Sequence, residues 1–555
     1  MRIFKCLVMA ALCFSLSTSA QVTPGGKEGQ IDKLFAPWNK PDVPGLAVAV
    51  VMDGKQVLVK GYGSADLEND IPITPATLFN AASLAKQFTA FAVLTLEAQK
   101  KLSLDDDVRA RLAEFPDCGY KVTVYNLLYH TSGLRDYGGL VQMSGGRMDD
   151  VLTSRMILKL ISRQKELHFQ PGTEFAYSNA GYVALAEVVA RASGQSFKDW
   201  TRTNIFAPLK MDNTMFKDDP NEPISGAACS YDRTRDGRFE RALDNQAAPG
   251  PGSLFISAAD MANWLAAFQS KTPDEDIWTK LAAPGKLADG RSLNYAAGLI
   301  VGVYKGLPIL YHSGGWAGYR GETLFFPAER AAIAILTNNS SVDPTQLCRR
   351  VADICFDRKL AAPQTTPPAP AAIDAAALDA YVGRYWLTGE RVIQITRREN
   401  RLFSQMTGDL GWEVFPESAD TFAYRLAEAK IQFHRSGSGS AQKLTFWQGA
   451  YAMPAERIPA ETWSPAVPQE FCGLYYGDEL GSTLEVKLGQ KGLFIPFIRR
   501  DDLLLVPMAV DRFAGKDSST KLRFVRGSNG KISELRFSML DAWNVKFTRL
   551  ENIPQ

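Results

Sequence analysis

Asn80-Ala81-Ala82-Ser83-Leu84-Ala85-Lys86 stands at the head of an apolar stretch that continues through Phe88, Phe91, Val93, Leu94 and Leu96. The spacing predicts a helix over Leu84 to Glu97 with Ser83 in its first turn. Lys86, three residues on, then shares a face with Ser83, so hydroxyl and amine can meet. A serine is a poor nucleophile until a neighbour takes its proton, and a desolvated lysine can be neutral enough to do so. The helix N-terminus favours developing negative charge at the same place. A Ser-x-x-Lys pair also arises by chance in a chain of 555 residues, as an N-cap serine beside a surface lysine, so its meaning rests on what surrounds it.

Two further stretches carry chemistry. Phe175-Ala176-Tyr177-Ser178-Asn179 lies between Pro171-Gly172 and a second apolar helix running from Tyr182 to Ala192. A tyrosine whose pKa is lowered by an ammonium can accept a serine proton, and an asparagine amide can hold a substrate amide. The plainer reading of this stretch is a buried tyrosine and a capping asparagine. His312-Ser313-Gly314-Gly315-Trp316 ends an expected strand, and its glycines let backbone approach a ligand closely.

Outward from these, Leu46 to Met52, Asp53-Gly54 and Gln56 to Val59 read as a hairpin with a tight turn. Tyr295 to Val303, Ile309 to Ser313, Thr323 to Phe326 and Ala331 to Leu336 read as further short strands, followed by a helix through Cys348 and Cys355. The first region is therefore expected to be an α+β domain, a mixed sheet with a helical part inserted, spanning 27–358. Ala361-Ala-Pro-Gln-Thr-Thr-Pro-Pro-Ala-Pro-Ala-Ala372 has the composition of a semi-rigid spacer, which places a linker at 359–373. Beyond it the sequence repeats weakly. Tyr381-Val-Gly-Arg-Tyr385 is echoed by Phe471-Cys-Gly-Leu-Tyr475, Arg401-Leu-Phe403 by Gly492-Leu-Phe494, and Arg435 by Arg526, at offsets of 90 or 91 residues. The alternating apolar stretches predict two small antiparallel β-barrels, 374–462 and 463–555.

Composition excludes more than it identifies. The apolar fraction is 46% and the charged fraction 22%, ordinary for a globular protein. Arg2 and Lys5, the apolar run Cys6 to Leu16 and Ser17-Thr18-Ser19-Ala20 have the layout of a secretory signal over 1–20, which predicts export to the periplasm or medium and no integral membrane segment after cleavage. Removing that leader takes two of the 62 basic residues and leaves 60 against 60 acidic ones. A balanced charge gives no ground for a nucleic-acid partner. Five cysteines remain, an odd and scattered set that argues against a disulfide framework. Cys348 and Cys355 would stack on one helix face about 10 Å apart, beyond bridging distance. The four histidines, His130, His168, His312 and His434, lack metal-ligand spacing, and neither Gly-x-Ser-x-Gly nor a phosphate loop occurs. No cofactor and no metal are expected, and oligomeric state is not legible.

Taken in order, Ser83-x-x-Lys86, Tyr177-x-Asn179 and the basic-x-Gly strand His312-x-Gly314 resemble the three motifs of class C β-lactamases and the related penicillin-binding peptidases. Leu127-Leu-Tyr-His-Thr-Ser-Gly-Leu134 and Gly252 to Asp260 reinforce the resemblance, with His130 structural rather than catalytic. The resemblance implies acyl transfer. Ser83 attacks a carbonyl, Lys86 and Tyr177 manage its proton, and the backbone N–H groups of Ser83 and Gly315 form the oxyanion hole. Asn179, Gly314 and Trp316 would contact substrate, and His312 would stabilise the tyrosinate or touch substrate. β-Lactamases carry lysine where this chain has His312, and His-x-Gly is familiar among D-stereospecific peptidases and esterases of the superfamily. A β-lactamase-like domain followed by two barrels also resembles the D-aminopeptidases. The reading is a serine hydrolase of small amides or peptides. Its rivals are an esterase with the same machinery and a non-catalytic sensor that captures β-lactams or peptides.

Overall fold

The computed structural model describes residues 25–356, apart from 235, and residues 375–550, apart from 388–391, 407–410, 425–428, 436, 438, 449–450, 459–465 and 517–519. The leader expected over 1–20 and the linker at 359–373 lie outside the described residues.

The early hairpin forms as its sequence dictates. Strands β1 (Leu46–Met52) and β2 (Lys55–Tyr62) are joined through Asp53 and Gly54, both at positive φ, 50° and 74°, as a primed turn requires. Four late strands, β3 (Ile300–Tyr304), β4 (Leu307–Trp316), β5 (Tyr319–Phe326) and β6 (Ala331–Thr337), complete an antiparallel sheet in the order β3-β4-β5-β6-β1-β2. The two ends of the domain thus meet at β1 and β6, where Leu46 pairs with Thr337 and Met52 with Ala331.

Strand β1 is buried on both faces, which is why LAVAVVM is an unbroken apolar run. Its alternation sends Leu46, Val48 and Val50 to one side, against the helices Gly25–Phe35 and Pro344–Phe356. Ala47, Ala49 and Val51 join the larger core on the other side, under the helices Ala85–Ala98, Asn179–Ser193 and Ala258–Ser270. Small residues on that face let the helices lie close, and Phe88, Phe91, Trp264 and Trp278 fill the space between them with ring centroids 4.1 to 5.5 Å apart.

The strand expected from Tyr295 begins only at Ile300. Gly298, at φ 79°, brings the intervening loop against the nucleophile helix so closely that a Cβ there would lie 2.7 Å from the Lys86 carbonyl carbon and oxygen. Extended pairing is given up for that approach. Cys348 and Cys355 are both buried on one face of their helix, and the five described cysteines are all free.

Strands Gly383–Leu387 through Tyr451–Ile458 close into one eight-stranded antiparallel barrel, and Gly473–Gly477 through Ala542–Arg549 into a second. The repeat read in the sequence returns as repeated contacts. Tyr385 Oη donates to the Tyr381 carbonyl at 2.8 Å, and Tyr475 Oη donates to the Phe471 carbonyl at 2.8 Å. Arg457 lies over Tyr385 at 5.3 Å and Arg549 over Tyr475 at 5.9 Å. Each barrel rebuilds the same corner, with Tyr381, Tyr385 and Arg457 answered by Phe471, Tyr475 and Arg549 at offsets of 90, 90 and 92 residues.

The second barrel is fused to the first domain by a shared core. Leu140 and Met143, from the helix Tyr137–Met143, pack among Phe471, Leu493, Phe537 and Phe547 of the barrel. Gly139 permits this approach, since a Cβ there would meet the Met539 carbonyl oxygen at 2.4 Å. Among the described residues no helix is long and apolar enough to cross a membrane.

Candidate active site

Ser83 sits in the short 3-10 turn Ala82–Leu84 that leads directly into the helix Ala85–Ala98. The turn is strained: Ala82 is held at φ 47°, a left-handed conformation that a residue with a Cβ avoids. Asn80 supports it by accepting the Ala82 N–H at 2.9 Å. The Asn80 amide donates in turn to Asp244 at 2.8 Å, and Trp316 Nε1 donates to the other Asp244 oxygen at 3.0 Å. The nucleophile turn is thereby tied to the end of β4.

Lys86 reaches back along the helix face, as the spacing predicts. Its Nζ donates to Ser83 Oγ at 3.1 Å, to Asn179 Oδ1 at 2.7 Å and to the Pro251 carbonyl at 3.2 Å. The side chain is fully buried. Burial lowers its pKa from 10.5 to about 7, and the Asp136 carboxylate opposes that shift. The ammonium also lies 4.7 Å from the centroid of the Tyr177 ring.

Tyr177 behaves differently from expectation. Desolvation raises its phenol pKa, the interaction with Ser83 opposes the rise, and the carboxylates of Asp136 and Asp541 reinforce it. Lys86 therefore does not make Tyr177 a ready tyrosinate; the lysine gives up its own proton far more easily. Tyr177 is held by aromatic packing against His130, with ring centroids 4.4 Å apart. His130 Nδ1 accepts the Ser178 N–H at 3.1 Å, and burial holds this imidazole neutral. That is a structural role in positioning the tyrosine, as expected.

Asn179 opens the helix Asn179–Ser193, with Ser178 as its N-cap. The N–H of Asn179 donates to the Asp136 carboxylate, and that of Ala180 does so at 3.2 Å. A buried carboxylate here satisfies open backbone donors and faces the positive end of the helix dipole. It also sits within electrostatic reach of Lys86.

Strand β4 alternates along the third motif. His312 and Gly314 turn inward, whereas Ser313 and Gly315 are exposed. His312 does not reach the cleft: it is 3% exposed, its Nδ1 meets the Ser313 carbonyl at 2.7 Å and its Nε2 lies 3.4 Å from Tyr295 Oη. Burial, with Lys86 nearby, lowers its pKa to about 3. The expectation of a charge-stabilising or substrate-touching His312 is corrected accordingly. Gly314 is likewise not a cleft residue but a packing one, since a Cβ there would stand 2.5 Å from the Ala81 carbonyl oxygen and 3.1 Å from the Ser83 nitrogen. Gly315 and Trp316 do line the cleft, with Ser83, Asn179, Asp136, Met148 and Gln246, around a cavity of about 90 Å³.

Two acids that matter were not legible in the sequence. Asp136 follows Leu134-Arg135 without any motif of its own. Asp541 comes from the second barrel, where the turn after Met539 enters the first domain: the Asp541 carbonyl accepts the Asp136 N–H at 3.0 Å. Asp541 and Trp543, with Met453 of the first barrel, line a cavity of about 420 Å³ whose other walls include Tyr177, Tyr295 and Arg291. Both barrels therefore border the site.

This geometry is that of an activated serine in a strained turn, with a buried lysine for its proton. The Beta-lactamase family matches residues 31–354. The chain belongs to the β-lactamase family. Within that family it is a serine hydrolase. A domain of unknown function (DUF3471) matches residues 367–457, the first barrel. A D-aminopeptidase of Gluconobacter oxydans is 30% identical over 302 residues, covering 54% of this chain and 56% of that protein. A D-aminopeptidase of Brucella melitensis is 26% identical over 521 residues, covering 91% of this chain and 96% of that one. Among solved structures, the octameric penicillin-binding protein homologue from Pyrococcus abyssi superposes with a TM-score of 0.53 at 24% identity, over 78% of this chain and 99% of that one.

Proposed function

We propose that this β-lactamase-family enzyme removes an N-terminal residue, of D configuration, from small peptides or amides through a Ser83 acyl-enzyme. The Brucella relative, named a D-aminopeptidase, aligns along nearly the whole three-part chain. The observation that carries the finer reading is the Asp541 turn. It puts a carboxylate from the second barrel on the wall of the cavity that contains Tyr177, close enough to oppose ionisation of that phenol, where a substrate ammonium would be attracted; Arg291 on the same walls is paired with Asp289 at 2.6 Å.

In this mechanism neutral Lys86 takes the Ser83 proton as Oγ attacks the carbonyl carbon. The N–H groups of Ser83 and Gly315 receive the oxyanion. Tyr177, kept protonated by its surroundings, donates to the departing amine and takes its proton back from the Lys86 ammonium, which returns the lysine to its neutral form. Asn179, already engaged by Lys86 through its oxygen, presents its NH₂ to the substrate carbonyl. Water then repeats the sequence on the acyl-enzyme. His312 and His130 keep Tyr177 and Tyr295 in place as neutral rings. The leader-like 1–20 supports action outside the cytoplasm.

The test is turnover of D-alanine p-nitroanilide, its L enantiomer and its N-acetyl derivative by wild type and by Ser83→Ala. Serine-dependent release from the free-amine D substrate alone supports the reading. Equal release from the N-acetyl compound removes the role given to Asp541. Release only from a p-nitrophenyl ester makes the enzyme an esterase.

A further inference from the structure

Arg135 and Asp136 are adjacent residues whose side chains run in opposite directions, one into the second barrel and one into the active site. Arg135 Nη1 donates to the Glu479 carboxylate at 3.0 and 2.9 Å, and its Nε donates to the Trp543 carbonyl at 3.0 Å. Arg135 and Glu479 are 1% and 4% exposed. The Asp136 carboxylate accepts the N–H groups of Gly138 at 3.0 Å, Ala180 at 3.2 Å and Asn179. We propose that Arg135 and Glu479 are positioning residues of the active site, a buried pair through which the docked second barrel holds Asp136 against Lys86 and the Asn179 helix.

The peptide between the two side chains is fixed on both sides. The Arg135 N–H donates to Gln164 Oε1 at 3.0 Å, and Gln164 Nε2 donates back to the Arg135 carbonyl at 3.1 Å. The Asp136 N–H is taken by the Asp541 carbonyl of the barrel at 3.0 Å. A shift of the barrel therefore pulls on residue 135 through its side chain and on residue 136 through its backbone. Glu166 extends the contact: its carbonyl accepts Arg135 Nη1 at 2.6 Å, and its carboxylate accepts Arg135 Nη2 at 3.3 Å and the barrel's Arg536 Nη1 at 2.8 Å. Stability is a poor account of the buried pair, because packed apolar residues in place of such a pair are often as stable or more so. What a matched and fully hydrogen-bonded pair supplies is register.

Asp136 acts on the nucleophile through Lys86, whose ammonium its carboxylate favours. The other titratable groups facing that amine, His130, His312 and the phenols of Tyr177 and Tyr182, are kept neutral by burial. Displacing Asp136 removes a negative charge from beside Lys86 while Ser83, Lys86 and Asp136 all keep their identity. The ammonium is then less favoured, the neutral amine persists to lower pH, and the pH midpoint of Ser83 reactivity falls. Water reaching Lys86 would act the other way, since rehydration of the ammonium raises the midpoint. The direction of the shift thus separates lost positioning from loosened packing.

The experiment uses the full chain and an uncharged fluorophosphonate: Ser83 Oγ bonds phosphorus, fluoride leaves and Lys86 takes the proton, whichever acyl donor is the natural one. Second-order rates are measured between about pH 5 and pH 9 for wild type, Glu479→Gln, Arg135→Lys and Gly139→Ala, and thermal melting verifies that each is folded. Gly139→Ala changes no charge. Its Cβ would stand 2.4 Å from the Met539 carbonyl oxygen and 2.6 Å from the Ala542 Cβ, which wedges the barrel turn away from the Asp136 N–H. Each variant should lower the midpoint by about half a pH unit or more, and none should add a further shift in an Asp136→Asn background. Glu479→Asp, which keeps the charge and shortens the reach, replaces either pair variant that does not fold. Arg499→Gln is the control: it cuts a different contact of the barrel with the first domain, Arg499 Nη1 to Asp150 Oδ2 at 2.9 Å, and should leave the midpoint in place whatever its effect on melting. A midpoint that is unchanged or raised in the folded variants, an equal shift in Arg499→Gln, or a shift that persists beside Asp136→Asn overturns the proposal.

Discussion

The buried amine of Lys86 makes a quantitative prediction about how the nucleophile responds to pH. Its pKa is lowered from 10.5 to about 7 because burial strips water from the ammonium, which corresponds to about 5 kcal/mol of lost preference for the charged form. An exposed lysine would be neutral in only about 0.03% of molecules at pH 7, whereas Lys86 would be neutral in about half. The sign follows directly: the base is the deprotonated amine, so reactivity rises with pH. From pH 6 to pH 8 the neutral fraction climbs from about 9% to about 90%, and the second-order rate of Ser83 modification by an uncharged fluorophosphonate should rise roughly tenfold. That reagent avoids the titration of a substrate amine. His312, at about 3, contributes nothing to this window. Asp136→Asn removes the carboxylate that favours the ammonium, so the midpoint should move below that of wild type. A flat profile between pH 6 and 8, or a rise only above pH 9, would refute Lys86 as the proton acceptor.

Two further outcomes follow from packing. Gly314→Ala places a Cβ against backbone at 2.5 Å, whereas Gly315→Ala meets only the Arg320 side chain at 3.3 Å, so the first should lower kcat/KM about a hundredfold or more and the second far less; comparable losses in a steady-state assay would argue against the close seating of β4 under Ser83. Arg135 and Glu479 are 1% and 4% exposed, so Arg135→Met should destabilise by about 3 to 5 kcal/mol in urea unfolding and Arg135→Met with Glu479→Met by less, because the single change strands a buried carboxylate.

The sequence by itself determined the local parts. Its Asp-Gly turn and unbroken apolar run specified the first hairpin, and its Ser-x-x-Lys spacing put hydroxyl and amine on one helical face. The offset of 90 or 91 residues specified two barrels with the same aromatic corner. These follow from short-range geometry: turn dihedrals, a period of 3.6 on a helix and a period of 2 on a strand act within a few residues and leave a readable pattern. Tertiary structure alone decided the electrostatics and the neighbours. A lysine carries no sign in its own sequence that it will be buried, and a tyrosine near it could have been lowered or raised until desolvation was known. The same holds for His312, which opens the third motif yet turns its ring inward. Asp136 meets Asp541 across some 400 residues of chain, and no local pattern marks either one. Such contacts arise because glycines at 139 and 314 let backbones approach and because a shared apolar core docks the second barrel onto the first domain, which is the packing of whole surfaces rather than the preference of any segment.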